Sequence, residues 1–268
     1  MLKMIKLSKR LQQIADFVSE GARVADIGSD HALLPVYLLQ SGKCPAAIAG
    51  ELNTGPFKAA KRQVAEAGLT KRIEVRQGDG LEVLVPGEAD TVTVAGMGGS
   101  LMADILEAGR IAGKLEGVRE LVLQPNVGEE IVRKWLVKHG YVLQTEEILE
   151  EDGRIYEVLH ALHKQHSPAA VTNEDVYNPA ILAAVPSMDE EAKLEWLYRM
   201  GPYLLRRPTE VLHSKWRLER TKLEWICKQV GQSDTAESRG KEAQLRSEMK
   251  GIEEVLSCLP TAKPSSSL

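Results

Sequence analysis

The sequence predicts an α/β fold, with a mostly parallel sheet covered by helices on both faces, followed by a separate helical region. Three observations lead to this prediction. Short apolar runs alternate with helical patterns up to about residue 140, two further strand-like runs then flank a tight turn, and prolines and heptad spacing replace the strands from about residue 167. Strands that alternate with helices are typical of a parallel sheet covered on both faces.

The elements of the sheet region can be placed in order along the chain. An amphipathic helix is predicted over residues 8–20, with Ser8 as its N-cap and Gly21 as its end. The five parallel strands are predicted at residues 23–28, 46–52, 73–80, 90–99 and 120–126, and the helices among them at 29–42, 54–69, 100–113 and 128–140.

The last two strands of this region are expected to run in opposite directions. They occupy residues 141–149 and 155–162, and the sequence EDGR between them, with Asp152 and Gly153, is typical of a turn. Two strands joined by so short a connection must pair antiparallel. The complete sheet therefore has five parallel strands capped by an antiparallel pair.

The C-terminal part of the chain has a helical pattern. A long helix is predicted from Pro208, and a second one over residues 237–259 repeats apolar residues at heptad steps. An antiparallel coiled-coil hairpin fits this spacing. The predicted domains are 1–165 for the sheet, 166–260 for the helical coiled-coil domain and 261–268 for a disordered tail.

Composition narrows the class of protein. Hydrophobic residues make up 43% and charged residues 27% of the 268, and the net charge is -4. These values are typical of a soluble globular protein and argue mildly against a dedicated nucleic-acid binder. Because the three cysteines form no CxxC pair and no apolar run could span a bilayer, we expect a cytoplasmic protein with no metal site and no membrane partner.

The loop after strand 1 indicates a small-molecule site. In RVADIGSDHALLP, Asp26 and Gly28 are followed by Ser29 and then by Asp30, where a dinucleotide-binding loop would have its second glycine. A carboxylate would repel a pyrophosphate but would suit a ligand with a cationic amine. S-adenosylmethionine carries both an amine and a sulfonium, and Gly28 would let the backbone pass close to it.

The residues that end strands 2 and 3 also suit S-adenosylmethionine. Glu51 ends strand 2, where it can accept both ribose hydroxyls, and Leu52 can pack on the adenine. Asp79 and Gly80 end strand 3. Because parallel strands end at one edge of the sheet, we expect the Asp79 carboxylate to lie at the same site and accept from the adenine's exocyclic amine. The residues predicted to bind the cofactor are Asp26, Gly28, Ser29, Asp30, Glu51, Leu52, Asp79, Gly80, Gly96 and Met97.

These residues resemble the motifs of a known family. The order of strands and acids resembles that of class I methyltransferases, whose Rossmann-like seven-stranded sheet carries the same antiparallel pair. The motifs VADIGSDHALLP, VAGMGG and LVLQPN, followed by a helical C-terminal domain, look like the bacterial tRNA (adenine(22)-N1)-methyltransferase family. The resemblance is strongest over residues 5–163. It implies transfer of a methyl group from S-adenosylmethionine to N1 of an adenine in the tRNA D-arm.

The chemistry of that reaction selects two candidate catalytic residues. Adenine N1 has a lone pair, so the enzyme must hold it in line and stabilise developing charge. Asn126, in the sequence Gln-Pro-Asn after strand 5, could hold the exocyclic amine, and Asp30 could stabilise positive charge. Strand 4 ends in Gly-Met-Gly-Gly in place of the Asn/Asp-Pro-Pro-aromatic tetrad of many amino-methylating enzymes. This chain therefore has no aromatic platform there.

Basic residues cluster in two parts of the chain despite its acidic balance. Residues 199–222 hold seven basic residues against Glu210 and Glu219, and the N-terminus adds four more. Such patches could grip the phosphates of a folded RNA. The residues predicted to bind RNA are Lys3, Lys6, Lys9, Arg10, Arg199, Arg206, Arg207, Lys215, Arg217 and Arg220.

Two other functions remain open on the sequence. One is a class I methyltransferase that acts on a small molecule or protein and dimerises through the coiled coil. The other is a scaffold without catalytic activity that keeps a cofactor-binding fold. For the tRNA enzyme we expect a monomer and leave a dimer open.

Overall fold

The computed structural model describes residues 4–168, 171–232 and 235–260. The described residues up to Val176 form one compact unit, and those from Tyr177 onward form a second. Two predictions, the RNA contact of Lys3 and the disordered tail at 261–268, lie outside the described residues.

The described residues of the first unit contain a single mixed sheet. Within the described residues it has seven strands in the order β3-β2-β1-β4-β5-β7-β6. Strands β1 to β5 are parallel, whereas β7 is antiparallel to both β5 and β6, so the predicted sheet is confirmed. The strands are β1 Val24–Ile27, β2 Ala47–Glu51, β3 Ile73–Gln77, β4 Thr91–Gly98, β5 Glu120–Val127, β6 Tyr141–Glu151 and β7 Arg154–His163.

Helices cover both faces of this sheet. Their bounds are α1 Lys9–Phe17, α2 Leu33–Gln40, α3 Thr54–Glu66, α4 Gly99–Ile111, α5 Glu129–Lys138 and α6 Asn173–Val176. The first three bury their apolar side chains against one face, which includes Val122. Its neighbours Leu121 and Leu123 point the other way, since side chains alternate along a strand, and α4 and α5 pack against β4 and β5.

This topology creates a crevice between β1 and β4. The two strands are hydrogen-bonded neighbours, yet the chain leaves β1 for β2 and returns to β4 only after β3. At such a reversal the loops beyond the carboxyl ends diverge and leave space for a ligand.

Helix α1 is fixed at its start by two groups. The hydroxyl oxygen of Ser8 accepts from the Leu11 N–H, as predicted for an N-cap. The Glu151 carboxylate from β6 accepts from the N–H groups of Lys9 and Arg10 at 2.6 and 3.2 Å. The helix ends at Phe17, before the predicted Gly21.

A buried charge cluster holds α5 to the antiparallel pair. Arg133 Nε donates to Glu146 at 2.6 Å and Nη2 donates to Glu157 at 2.5 Å, and all three side chains are fully buried. Removing Arg133 would take the cationic partner away from two buried carboxylates, which costs about 3–5 kcal/mol. The cluster therefore specifies how β6 and β7 meet the rest of the sheet.

The second unit is helical. Its α-helices are α7 Glu190–Met200, α8 Pro202–Arg206, α9 Glu210–Val230 and α10 Ala236–Cys258. Helix α7 is capped by Asp189, whose carboxylate accepts from the Ala192 N–H. Ser187 stays in the preceding loop, where its hydroxyl donates to Glu254.

Helices α9 and α10 pair antiparallel. Arg220 contacts Glu253, and near the other end of the pair Gly231 faces Glu242. Leu212, Trp216 and Leu223 are buried along α9, with Leu245 and Ile252 on α10. The hairpin is thus present, while its coiled-coil supercoil stays a prediction.

The division of the chain falls after Val176, beyond the predicted boundary at 165/166. Side chains tie the intervening segment to β6, since Asn173 donates to the Tyr141 carbonyl and Gln144 donates to Ser167. Among the described residues no helix has the length and apolar character that crossing a membrane requires.

Candidate functional site

A cleft of about 450 Å³ opens at the carboxyl ends of β1 to β4. Its wall brings together residues that the sequence predicted separately, from four different strand ends. The predicted residues that line it are Gly28, Asp30, Glu51, Leu52, Asp79, Gly80, Gly96 and Met97. Ser29 and Asp26 lie behind this wall.

The loop after β1 is tightly constrained. The N–H groups of Gly28 and Ser29 both donate to the Gly50 carbonyl at 2.9 Å. Gly28 has φ 72°, which favours glycine, and a Cβ there would lie 2.3 Å from Met97 Cε, so the Met97 side chain would have to move. His31 and Ala32 also have positive φ, 55° and 53°. The predicted helix at 29–42 is therefore broken into a 3-10 turn and α2.

Asp26 holds this loop in place through buried hydrogen bonds. It is 7% exposed, and its two carboxylate oxygens accept from the hydroxyls of Ser29 at 2.6 Å and Thr93 at 2.7 Å. Burial raises the pKa of Asp26, and the two hydroxyl hydrogen bonds oppose that rise. The contact of Asp26 with the cofactor stays a prediction, because the structure places its carboxylate on these hydroxyls.

Asp30 is the exposed acid of the same loop. Its side chain is 82% exposed and lines the cleft, and the His31 Nε2 lies 3.5 Å from its Oδ1. Its carboxylate can therefore reach a group that enters the cleft from solvent.

Glu51 is held at the end of β2 with one oxygen to spare. Its Oε1 accepts from the Asn53 N–H at 2.8 Å, while Oε2 accepts no hydrogen bond from the described residues. Because Glu51 lines the cleft, this oxygen is available to accept a hydrogen bond from a ligand hydroxyl. Leu52 beside it is 54% exposed and presents an apolar surface to the cleft.

The end of β3 differs slightly from the prediction. The strand stops at Gln77, and a 3-10 helix follows at Gly80–Val83. Asp79 is exposed at the N-cap of this turn, where its side chain makes no capping hydrogen bond. Gly80 has φ 48° and lies against Ile105, so it closes the floor of the cleft beside Asp79.

The ends of β4 and β5 both carry bulges. Gly96 and Asn126 are the extra residues of the two strands, because the pairs run Ala95 with Gln124, Met97 with Pro125 and then Gly98 with Val127. Bulges of this kind redirect side chains beside active sites. Here they turn Gly96 and Asn126 toward solvent at the edge of the cleft.

Gln124 joins these bulges, and it was not among the residues predicted from the sequence to have a role in the site. It is fully buried, and its Oε1 accepts from the Gly96 N–H at 3.1 Å and from Arg10 Nη1 at 2.5 Å. Its Nε2 donates to the Pro125 carbonyl and to Asn126 Oδ1. A glutamine in the apolar strand LVLQPN is the only sequence signal for this buried polar network.

Asn126 is oriented by that network. Its Nδ2 donates to the Gly96 carbonyl at 2.8 Å and its Oδ1 accepts from Gln124 at 3.1 Å. An asparagine amide has two N–H groups and two lone pairs. One of each is left for a substrate, and the direction in which each points is set by Gln124 and Gly96.

Arg10 lies apart from the other basic residues of the N-terminus. It is half-buried and lines the cleft, whereas Lys6 and Lys9 are exposed and do not. Its guanidinium carbon is 5.4 Å from the centroid of the Tyr156 ring. The structure therefore separates Arg10 from the surface patch with which it was grouped.

The basic residues of the second unit are partly neutralised. Arg199 pairs with Glu248 and lies over the rings of Trp196 and Trp216. Arg217 pairs with Glu210, and Arg220 pairs with Glu224 and Glu253. Arg206 and Arg207 are exposed, while Lys215 is half-buried near Trp216. The RNA-binding roles of all these residues stay predictions.

Comparison with known proteins agrees with the fold and the cleft. A family model described as "Methyltransferase domain" matches residues 7–159, more than half of the chain. Fold, cleft and family match together define a methyltransferase. A curated tRNA (adenine(22)-N(1))-methyltransferase of Bacillus subtilis is 44% identical over 253 residues, which cover 94% of this chain and 98% of that relative. The chain therefore belongs to the family of tRNA (adenine(22)-N(1))-methyltransferases.

Solved structures of similar chains extend the comparison. The Bacillus subtilis M1A22 tRNA methyltransferase TrmK has 44% identity and a TM-score of 0.78, with 94% of this chain and 99% of that chain covered. The Streptococcus pneumoniae protein Sp1610, solved in complex with S-adenosyl-L-methionine, has 36% identity and a TM-score of 0.74. That match covers 94% of this chain and 100% of Sp1610.

Proposed function

We propose that this chain transfers a methyl group from S-adenosylmethionine to N1 of adenine 22 in tRNA. The observation that carries the proposal is the cleft at the carboxyl ends of β1 to β4, in which Asp30, Glu51 and Asp79 stand at successive strand ends. Membership of the tRNA (adenine(22)-N(1))-methyltransferase family supports the choice of substrate.

The residues of the cleft fit S-adenosylmethionine. Glu51 keeps an acceptor oxygen for the ribose hydroxyls, and Asp79 has a carboxylate for the adenine's exocyclic amine. Gly28, with φ 72° and no side chain, lets the backbone of the loop pass close to the cofactor. When bound, the cofactor supplies an electrophilic methyl group on a sulfonium. The acids around it match its positive charge.

The target adenine would meet the edge of the cleft formed by the two bulges. Asn126 offers its remaining lone pair to the exocyclic amine of the base, and Asp30 lies in the same cleft wall with an exposed carboxylate. A carboxylate stabilises the positive charge that develops on the ring as N1 is methylated. Adenine N1 already has a lone pair, so the chain needs to orient the base and needs no covalent nucleophile.

Asn126→Ala is expected to lower kcat about 10- to 100-fold, because one hydrogen bond to the reacting base is lost. The affinity for S-adenosylmethionine should not change, since Asn126 does not line the cofactor cleft. Steady-state methylation of tRNA and calorimetric titration of the cofactor measure the two effects. A variant with normal kcat and weakened cofactor binding would contradict this division of roles.

Binding of the RNA phosphates is proposed for exposed basic residues. Lys6 and Lys9 provide it on the first unit, and Arg206 and Arg207 provide it on the second. Arg199 is better explained by its contacts with Glu248 and the two tryptophan rings, which stabilise the helical unit.

Reversal of two of these charges tests the proposed phosphate binding. Arg206→Glu with Arg207→Glu should weaken tRNA binding and flatten its log–log salt dependence by about two units, roughly one for each lost phosphate contact. Filter binding at several salt concentrations measures both. The matched control is Arg246→Glu with Lys250→Glu on α10, where both residues are also exposed. Equal losses of tRNA affinity in the two double variants would indicate a general charge effect and would contradict local phosphate binding by Arg206 and Arg207.

A further inference from the structure

The charges of the cleft are unbalanced. Three carboxylates line it, from Asp30, Glu51 and Asp79, and among the described lining residues Arg10 is the only cation. S-adenosylmethionine carries an ammonium and a sulfonium but only one negative group, the carboxylate of its methionine part. Resting on the proposed function, we propose that Arg10 binds this carboxylate.

Arg10 is held in place before any ligand arrives. Its backbone N–H donates to Glu151, its Nη1 donates to Gln124 Oε1 and its guanidinium lies near the ring of Tyr156. The bond to Gln124 uses one of the five N–H donors of a guanidinium. The rest form a planar fork that suits a carboxylate, and little side-chain entropy remains to be lost on binding.

The position of Arg10 agrees with the direction in which the cofactor is expected to lie across the strand ends. Arg10 Nη1 lies 3.6 Å from where a Cβ on Gly96 would stand, at the end of β4. Its charge also acts on Asp26 at the end of β1, where it lowers the pKa against the effect of burial. With the ribose at Glu51 and the adenine at Asp79, on β2 and β3, the methionine part is left at β1 and β4, beside Arg10.

This assignment differs from the RNA contact predicted for Arg10 from sequence. A phosphate contact requires an exposed, movable cation such as Lys9, which is on the same helix and outside the cleft. Arg10 is half-buried, and its guanidinium is committed to a fully buried glutamine. A small anionic group inside the cleft suits it better than a phosphodiester backbone.

Calorimetric titration with two ligands tests the proposal. Decarboxylated S-adenosylmethionine differs from S-adenosylmethionine only by the missing carboxylate. Wild type should bind S-adenosylmethionine about 10- to 100-fold more tightly than the decarboxylated ligand, and Arg10→Gln should reduce that ratio to below about 3. Arg10→Lys should keep part of the preference. Lys58→Gln, which changes an exposed lysine outside the cleft, should retain the full wild-type ratio.

The outcomes separate this assignment from the function on which it rests. If Arg10→Gln weakens both ligands equally, or neither, Arg10 does not bind the carboxylate. A wild type that shows no preference between the ligands also overturns the assignment and needs no variant that folds. A wild type that binds neither ligand would overturn the proposed function itself.

Discussion

Glu51→Ala should weaken the binding of S-adenosylmethionine by about 2–4 kcal/mol, because a pair of charge-assisted hydrogen bonds to the ribose is lost. The carboxylate is almost buried, and its Oε2 accepts no hydrogen bond from the described residues. The ligand is therefore expected to satisfy it. Calorimetric titration of the full chain gives the affinity directly.

The control must separate ligand binding from loop structure, because Glu51 Oε1 also holds the Asn53 N–H. Glu51→Gln keeps an oxygen for that N–H and removes the charge, so it should retain the thermal stability of wild type but lose most of the affinity. Unchanged cofactor affinity in Glu51→Ala would refute the ribose assignment. A parallel loss of stability and affinity in both variants would assign Glu51 a structural role.

Gly99→Ala is expected to destabilise the first unit by about 3 kcal/mol or more, since the new methyl group overpacks rigid backbone. A Cβ at Gly99 would stand 2.1 Å from the Gly128 carbonyl oxygen and 2.7 Å from its carbon. Neither atom can move without separating the ends of β4 and β5. A change of that size lowers the melting temperature by roughly 6–12 °C in a domain of this length.

The neighbouring glycine is the matched control. Gly98 has an ordinary extended backbone, and among the described residues a Cβ there would meet only Val127 Cγ2 at 3.9 Å. Gly98→Ala should therefore cost less than about 1 kcal/mol, the loss expected when alanine replaces glycine at an N-cap. Melting curves of the two variants followed by circular dichroism make the comparison. Equal melting temperatures would show that the β4 and β5 loops do not meet as described.

The sequence predicted the cleft through features that are local. Glu51 and Asp79 each follow an apolar run, and parallel strands end at one edge of the sheet, so their approach follows from topology alone. Asp30 could be placed for the same reason. Asp26 is harder, because its hydroxyl partner Thr93 comes from β4 and depends on the register of two strands.

Arg10 and Gln124 could not be paired from the sequence. They are 114 positions apart, and α1 has no hydrogen-bonding register that would fix where Arg10 points. The charge balance of residues 199–222 depends on contacts outside that segment for a related reason, and the RNA-binding role of its basic residues stays a prediction. The balance was counted within one segment, whereas the neutralising Glu248 and Glu253 belong to α10.

The most direct test of the central claim is methylation of tRNA by the full chain. Unmodified tRNA with adenine at position 22 is incubated with the protein and S-adenosylmethionine, its nucleosides are identified by mass spectrometry and the modified position is mapped by primer extension. We expect 1-methyladenosine at position 22, and none in a tRNA that carries guanine there. An unmodified tRNA, or a methyl group on another atom or at another position, would contradict the account.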